Sequence, residues 1–589
     1  MKKKRVGPTF PAQGSDTVRK TLTRAGMVVM GILGIPAFAT GEENPLSRVH
    51  INQLGYLAGE SKIAMVSSPL GLPFSVLNAE TLAPVLEGML RLAEPADAAS
   101  GSDVWIADFS ILNATGRYIL RVEGIGQSPP FPIDTQIYSS LIRQVVRSFY
   151  FQRCGTALPK KWADSWTHPE CHVADAAIYA ASPHSATVKP ATGGWHNGGD
   201  YGKYTVNGVY ATGLLLLLHE HFPEAFPDSS LTIPESGNGR SDLLDEIRWE
   251  LEWLLKMQEE SGGFYHKLTP LEPVKPVPPA KDTEPRFLFP PSTTATAGAC
   301  ALLAKASRAY AAQDADFAGR CLQSALAAWT YLETHPPEGG FQNPPNVRTP
   351  AFSDDDDSDE RFWAAVELFL ATGHSKYHQA VMELADRRVP LLSASGYWGN
   401  VMPLAVAAIL DDASQAFAET LRQEALADLL SLADILLEKI QEDGYRLSLQ
   451  EGEFTWGSNG AILNNALILC LAGRYRPETA YRQGAYSQLE YILGRNPLSL
   501  CYVTGIGTHS PLRIVHPALR SANSPVPIPG LLVGGPNQFL NDGALAKMFT
   551  SASAPATMYL DSEESFSSNE VSVAWNAALA YVAVYCSAL

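Results

Sequence analysis

The stretch GGWHNGGDYGKY, residues 193–204, gathers glycines around Trp195, His196, Tyr201 and one carboxylate, Asp200. Glycine lets the main chain approach a ligand closely or take positive φ, at a cost in ordering entropy, and such loops carry function on rigid scaffolds. The composition points to a shaped polar site around Asp200, although an ordinary tight turn accounts for the glycines alone. A second group is Cys154, Cys171 and His172 in CGTALPKKWADSWTHPECH, joined by His196 from the glycine loop. Two thiolates and two imidazoles complete a closed tetrahedral zinc shell, whereas a Cys154–Cys171 disulfide is the other reading outside the cytoplasm. Third, SDDDDSDERFWAA supplies the oxygens that a hard cation such as calcium takes. Carboxylates also suit a helix N-terminus without any ion.

The elements that must position these residues change character along the chain. From Val49 to about Pro132, short apolar stretches such as KIAMVSS, FSVLNAE, VWIADFS and GRYILRVEG alternate with Gly, Pro, Asn and Ser, the rhythm of a small β-sandwich. After YSSLIRQVVRSFYFQ the apolar spacing becomes helical, in VYATGLLLLLHEHF, DLLDEIRWELEWLLKMQ, TATAGACALLAKASRAYAA and further segments. About a dozen helices are expected from residue 135 onward, with no fixed-length repeat. A toroid of paired helices fits that count, as do a solenoid and a bundle.

With 589 residues and 46% hydrophobic content, the chain has room for a large folded core. Its formal charge of -17 argues against nucleic-acid or anionic-membrane partners. MKKKR followed by GMVVMGILGIPAFAT reads as an export signal, residues 1–40, cleaved near Ala39 after Ala37-Phe38-Ala39. An uncleaved anchor is the alternative. Seven scattered cysteines are too few, and odd in number, for a disulfide framework. The expected location is periplasmic or secreted, with no membrane contact beyond the export signal and no reading of the oligomeric state.

Four stretches taken in order, VHINQLGY, GGWHNGGDYGKY, LGRNPLSLCYVTGIGTHSP and SSNEVSVAWNAAL, resemble glycoside hydrolase family 9 in the branch with an N-terminal immunoglobulin-like domain. The resemblance implies a multidomain protein, an immunoglobulin-like β-sandwich over residues 47–134 followed by an all-α (α/α)6 barrel over 135–589. It also implies inverting hydrolysis of β-1,4-glucosidic bonds in β-glucans or cello-oligosaccharides. That chemistry needs one protonated carboxyl for the leaving oxygen and one carboxylate to deprotonate water on the opposite ring face. The resemblance places the base at Asp200 and the acid at Glu570. On local pattern alone, Glu570 three residues after Ser567 reads as a capping box, and Asp200 as an organiser of loop amides.

Two departures stand out. Family members usually show DAGD where this chain has Asn197-Gly198-Gly199-Asp200, so an amide replaces the first of two carboxylates that hold the attacking water, which should make Asp200 a weaker base. HPHHR is common where RIVHPALRSAN stands here: His516 and Arg520 persist, while Ala518 and Leu519 replace a histidine pair. Because sugar C–H faces pack on aromatic rings, Trp195, Tyr201 and Trp456 are the expected platforms, with His516 and Arg520 contacting hydroxyls. The resemblance also implies structural zinc at Cys154, Cys171, His172 and His196, and calcium at Asp356, Asp359, Glu360 and Asn400. The alternatives are an exo-acting β-glucosidase or β-glucosaminidase on short oligosaccharides, and a weakly active or non-catalytic glycan binder.

Overall fold

The computed structural model describes residues 48–174, 176–179, 187–274, 277–516 and 526–588. The expected export signal, and with it Ala518, Leu519 and Arg520, lies outside these residues. No helix among the described residues is long and apolar enough to cross a membrane.

The chain opens with two facing sheets. One runs in the order β1 (Val49–His50), β3 (Ile63–Ser67), β7 (Ser102–Asp108), β6 (Arg91–Asp97). The other runs β2 (Tyr56–Leu57), β10 (Phe131–Asp134), β8 (Gly116–Val122), β4 (Pro73–Asn78), β5 (Pro84–Met89), with β9 (Gly126–Gln127) on β8. Successive side chains of a strand point to opposite faces, and in this first sheet both faces are covered. Ala64, Val66 and Ala107 join Phe74, Val76, Leu120 and Phe131 inside the sandwich. Their neighbours Met65, Val104 and Ile106 belong instead to the core of the helical part. The β-domain is thus docked through a second apolar face. Gln53, from VHINQLGY, fastens the same junction: its Nε2 donates to Ser499 O at 2.8 Å and its Oε1 accepts from the Thr508 and His509 amides at 2.8 Å each.

Twelve helices of nine residues or more follow among the described residues: α1 (Ser139–Arg147), α2 (Thr205–His221), α3 (Asp242–Lys256), α4 (Thr293–Tyr310), α5 (Ala315–Thr334), α6 (Ser358–Thr372), α7 (Ser375–Ala385), α8 (Met402–Asp411), α9 (Glu419–Glu442), α10 (Ser458–Tyr475), α11 (Thr479–Ile492) and α12 (Val573–Ser587). The even-numbered six are buried over most of their circumference, as uniformly apolar sequences such as GVYATGLLLLL and WNAALAYVAVYC require. Among the odd-numbered helices α5 buries one stripe, Phe317, Cys321, Ala325, Ala328 and Leu332, recurring at three or four residues. Each even helix packs on the next, α2 on α4, then α6, α8, α10 and α12, and α12 returns to α2. The odd helices pack outside them.

This ring places loops rather than helices at the business end. The glycine loop ends where α2 begins, Trp456 precedes α10, and Glu570 precedes α12, so three neighbouring inner helices each present one such segment. A small sheet steadies the first of them. β13 (Lys203–Tyr204) pairs with β14 (Lys267–Thr269), which pairs with β15 (Phe287–Leu288), β11 (Ala176–Ile178) and β12 (Val188–Lys189) in turn.

Candidate active site

The glycine loop is shaped by what passes close to it. A Cβ on Gly198 would lie 2.5 Å from Val571 O and 3.1 Å from Glu570 Oε1, and one on Gly199 would lie 3.0 Å from Val515 O. Real side chains do not fit there, so the segment before α12 can approach the loop only because these residues are glycine. The contact is then locked: Val573 N–H donates to Asn197 O at 3.0 Å, and Gly199 N–H donates to Glu570 Oε1 at 3.2 Å. Two stretches 371 residues apart in sequence meet at this bond.

Asp200 stands next to that contact. Its Oδ1 accepts from Gly202 N–H at 2.9 Å, and its Oδ2 accepts the Tyr204 hydroxyl at 2.6 Å. Glu570 has a different environment. Burial, reinforced by the charge of Asp200, pushes its carboxyl up to about 8, with only the Gly199 amide and the Trp456 side chain favouring the ion. A carboxyl that keeps its proton at neutral pH beside a donor-rich carboxylate is an asymmetric pair suited to acid–base hydrolysis.

The capping-box reading of Glu570 does not match the geometry. Ser567 lies inside a four-residue helix, Phe566–Asn569, and bonds Asp542; Glu570 follows it in extended conformation, and Ser572 caps α12. Asn197 is buried, and its Oδ1 has no hydrogen-bond partner.

The aromatic expectations divide. Trp456 is 41% exposed, lies close enough to Glu570 to favour its ionised form, and sits beside Phe566 with ring centroids 5.4 Å apart, so its face is open next to Glu570. Trp195 is a correction: it is buried against Phe149, its indole N–H donates to Glu246 at 2.9 Å and its amide to Glu250 at 2.7 Å. Tyr201 is a second correction, since it is fully buried against His172 and His196 with its hydroxyl on Val277 O, and offers no face to a sugar. His516 is a third: it is buried with Nε2 on Gln152 Oε1 at 3.0 Å, an internal contact that leaves no exposed donor for a hydroxyl.

Behind the loop, ligand atoms of Cys154, Cys171, His172 and His196 lie within 4.8 Å of one another, and the cysteines are free thiols. The Cys171 hydrogen bond draws the Cys154 thiol well below its ordinary range. His172 turns Nδ1 inward, 3.2 Å from His196 Nε2, while its Nε2 bonds Asp282 Oδ2 at 3.0 Å. That outer carboxylate is the usual partner of a metal-bound imidazole, so donor set and orientation fit zinc. Antiparallel pairing of Arg153 with Trp195 holds the two halves of the cluster together.

A second group comprises Asp354, Asp359 and Glu360. Both Glu360 oxygens and Asp354 Oδ2 are buried without a hydrogen-bond partner. Burial pushes Glu360 well above the usual carboxylate range and Asp354 up to about 6, with neighbouring carboxylates adding to both. Orphaned carboxylate oxygens at close quarters fit a hard cation. Two expected ligands are displaced from this group. Asp356 is exposed and caps the Ser358 amide, so Asp354 takes its place, and Asn400 commits Oδ1 to the Met402 amide at 3.2 Å. Asp359 reaches that turn by accepting from Val401 N–H at 2.7 Å.

Sequence reading passed over Asp354 and Tyr204. The left-handed turn at Tyr201 brings Tyr204 back to Asp200, and no local spacing in the sequence signals it.

Comparison with known proteins agrees with this geometry. Residues 44–127 match the Cellulase N-terminal ig-like domain, and residues 138–583 match Glycosyl hydrolase family 9. The chain is 35% identical over 572 residues to the xyloglucan-specific endo-beta-1,4-glucanase BoGH9A of Bacteroides ovatus, covering 92% of this chain and 94% of that protein. A crystal structure of a metagenome-derived glycoside hydrolase family 9 endoglucanase superposes with a TM-score of 0.85 at 34% identity, over 92% of this chain and 99% of that one. A Zn-binding triple mutant of the GH family 9 endoglucanase J30 superposes with a TM-score of 0.82 at 32% identity, over 90% and 98%. With its N-terminal immunoglobulin-like domain, its large helical domain and two carboxyls meeting across the glycine loop, the chain belongs to glycosyl hydrolase family 9.

Proposed function

We propose that this enzyme is an exported, inverting endo-β-1,4-glucanase in which Asp200 is the general base and Glu570 the general acid. The observation that carries the reading is the Glu570 carboxyl held on the amide of Gly199, one residue from Asp200, where burial pushes it up to about 8. Glu570 donates its proton to the glycosidic oxygen as the bond breaks, and Asp200 takes a proton from the water that attacks the opposite ring face. Trp456, exposed beside the acid, offers an apolar face to a sugar next to the cleavage point. The alternating closed packing of α2 to α12 supports an (α/α)6 barrel with the site in the loops before its inner helices.

Cys154, Cys171, His172 and His196 would hold zinc, a closed shell that ties the segment after the β-domain to the catalytic loop. Asp354, Asp359 and Glu360 would hold calcium, which neutralises charge that no side chain in the group answers. The names of the relatives favour a β-1,4-glucan backbone with chain-internal attack. A non-catalytic glycan binder has no support from a site in which both carboxyls are intact.

The test is reducing-sugar release from soluble β-glucan and xyloglucan, with anomer-resolved NMR of the first product. Rapid loss of viscosity and an initial α-anomer are expected, and both carboxamide variants, Asp200→Asn and Glu570→Gln, should lose about 10²- to 10⁴-fold in kcat. An initial β-anomer would overturn the inverting assignment.

A further inference from the structure

Tyr204 makes an arrangement that packing alone does not require. Its ring folds back over the chain toward Asp200, so that a Cβ on Gly202 would lie 2.5 Å from the ring and 2.6 Å from the hydroxyl. Gly202 shows no left-handed φ; the space taken by the ring, and not backbone strain, is what excludes a side chain there. The ring is wedged from the far side by Phe352, at 4.6 Å between centroids and 72° between planes, and Phe352 in turn meets Trp398 at 5.1 Å. The hydroxyl then donates a hydrogen bond to Asp200 Oδ2 at 2.6 Å while Gly202 N–H donates to Oδ1.

We propose that Tyr204 is a positioning residue for Asp200, its hydroxyl fixing the plane of the carboxylate and restraining its basicity. The proposal rests on Asp200 being the general base. With one bond on each oxygen, the carboxylate cannot rotate, and each oxygen keeps a further lone pair for water. A donor to the charged form also stabilises that form. Burial and the charge of Asp200 hold the Tyr204 phenol well above its ordinary range, so it remains a donor throughout the working pH. The other charged groups facing the pair are fixed: Glu570 before α12, Lys267 on β14, and Arg286, which is bonded to Tyr201 O and Leu268 O. Lys267 is itself anchored on Asn343 and on Thr349 and Pro350 carbonyls. Asn197 beside them brings no charge.

The test is the pH dependence of kcat and kcat/KM for Tyr204→Phe on soluble β-glucan, with Asp200→Asn in parallel. Loss of one bond to a charged group should move the acidic limb upward by about one pH unit and lower kcat, with KM held within about twofold because the Tyr204 side chain is buried. Genetic incorporation of 3,5-difluorotyrosine at 204, a stronger donor in the same shape, should move the limb the other way. An unmoved limb in both variants, with Asp200→Asn inactive, overturns the role of Tyr204 and leaves Asp200 as base. Activity retained by Asp200→Asn removes the base assignment and this proposal with it. A Tyr204→Phe protein that fails to fold leaves the opposite-sign shift of the fluorinated enzyme to decide.

Discussion

Replacing Glu570 with Gln should stabilise the protein at high pH while disabling it. In the folded enzyme the carboxyl titrates at about 8 instead of 4.5 because burial, and then the charge of Asp200, oppose ionisation. Between those values the folded state holds a proton that the unfolded chain has released, so stability from this group is complete below about pH 4.5 and falls as pH rises toward 8. The whole gap corresponds to about 5 kcal/mol at about 1.36 kcal/mol per unit; water entering the cleft and local relaxation reduce it to about 2–3 kcal/mol. A glutamine keeps an oxygen for the Gly199 amide and cannot ionise. Unfolding entropy of about 2.1 cal/mol/K per residue makes that energy about 2 °C for a chain of this length. The assay is the Tm of both proteins from pH 5 to 9. Other raised carboxyls, Glu250 at about 8, Glu490 at about 7 and Asp443 at about 7, weaken both proteins alike and cancel in the comparison. Curves that stay parallel across the range would mean that Glu570 is freely solvated, and the acid role would lose its physical basis.

Asn197→Asp should move the acidic limb of the pH–rate profile upward, because a second carboxylate beside Asp200 disfavours its ionised form; an unchanged limb contradicts this. Cys154→Ser should lose the single zinc that elemental analysis is expected to find in the wild-type enzyme, and with it several degrees of Tm; equal metal content in the two proteins would refute the cluster as a zinc site. Glu360→Gln should abolish the rise in Tm that calcium gives the wild-type protein over EGTA, since Glu360 brings two unpartnered oxygens; an intact calcium response would place the ion elsewhere. Gly198→Ala should lower kcat at least tenfold, because its methyl would press on Val571 O and on Glu570 itself; wild-type kcat would show that the loop has slack.

What the sequence made legible follows from how locally each feature is encoded. The change from alternating to helical spacing near residue 135 is a property of neighbouring residues, and the last strand of the sandwich ends at Asp134 with α1 starting at Ser139. The Cys–His cluster was readable because chemistry limits what two thiols and two imidazoles do together. Burial was not readable. Trp195 and Tyr201 look like sugar platforms in a glycine-rich loop, yet Trp195 sits over the paired Arg153 and Glu246 and Tyr201 backs the imidazoles. Nothing local distinguishes an aromatic residue that faces the cleft from one that faces the core two residues away. Asp356 and Asp354 were likewise indistinguishable in a run of four aspartates, where two positions along the run decide which carboxylate turns inward.

The two carboxyls differ by what surrounds them, and the loop builds that difference from glycine. Because Gly198 and Gly199 carry no side chain, the segment before α12 lies against the loop and Glu570 is partly stripped of water; the Gly199 amide it receives in return does not compensate an ion. Because Gly202 carries none, Tyr204 reaches back and Asp200 gains a second donor. The same substitution of hydrogen for a methyl therefore desolvates one carboxyl and solvates the other with fixed dipoles. Catalysis by an acid and a base of similar intrinsic strength requires their environments to diverge in this sense. The glycine loop is accordingly the device that gives the two carboxyls different surroundings.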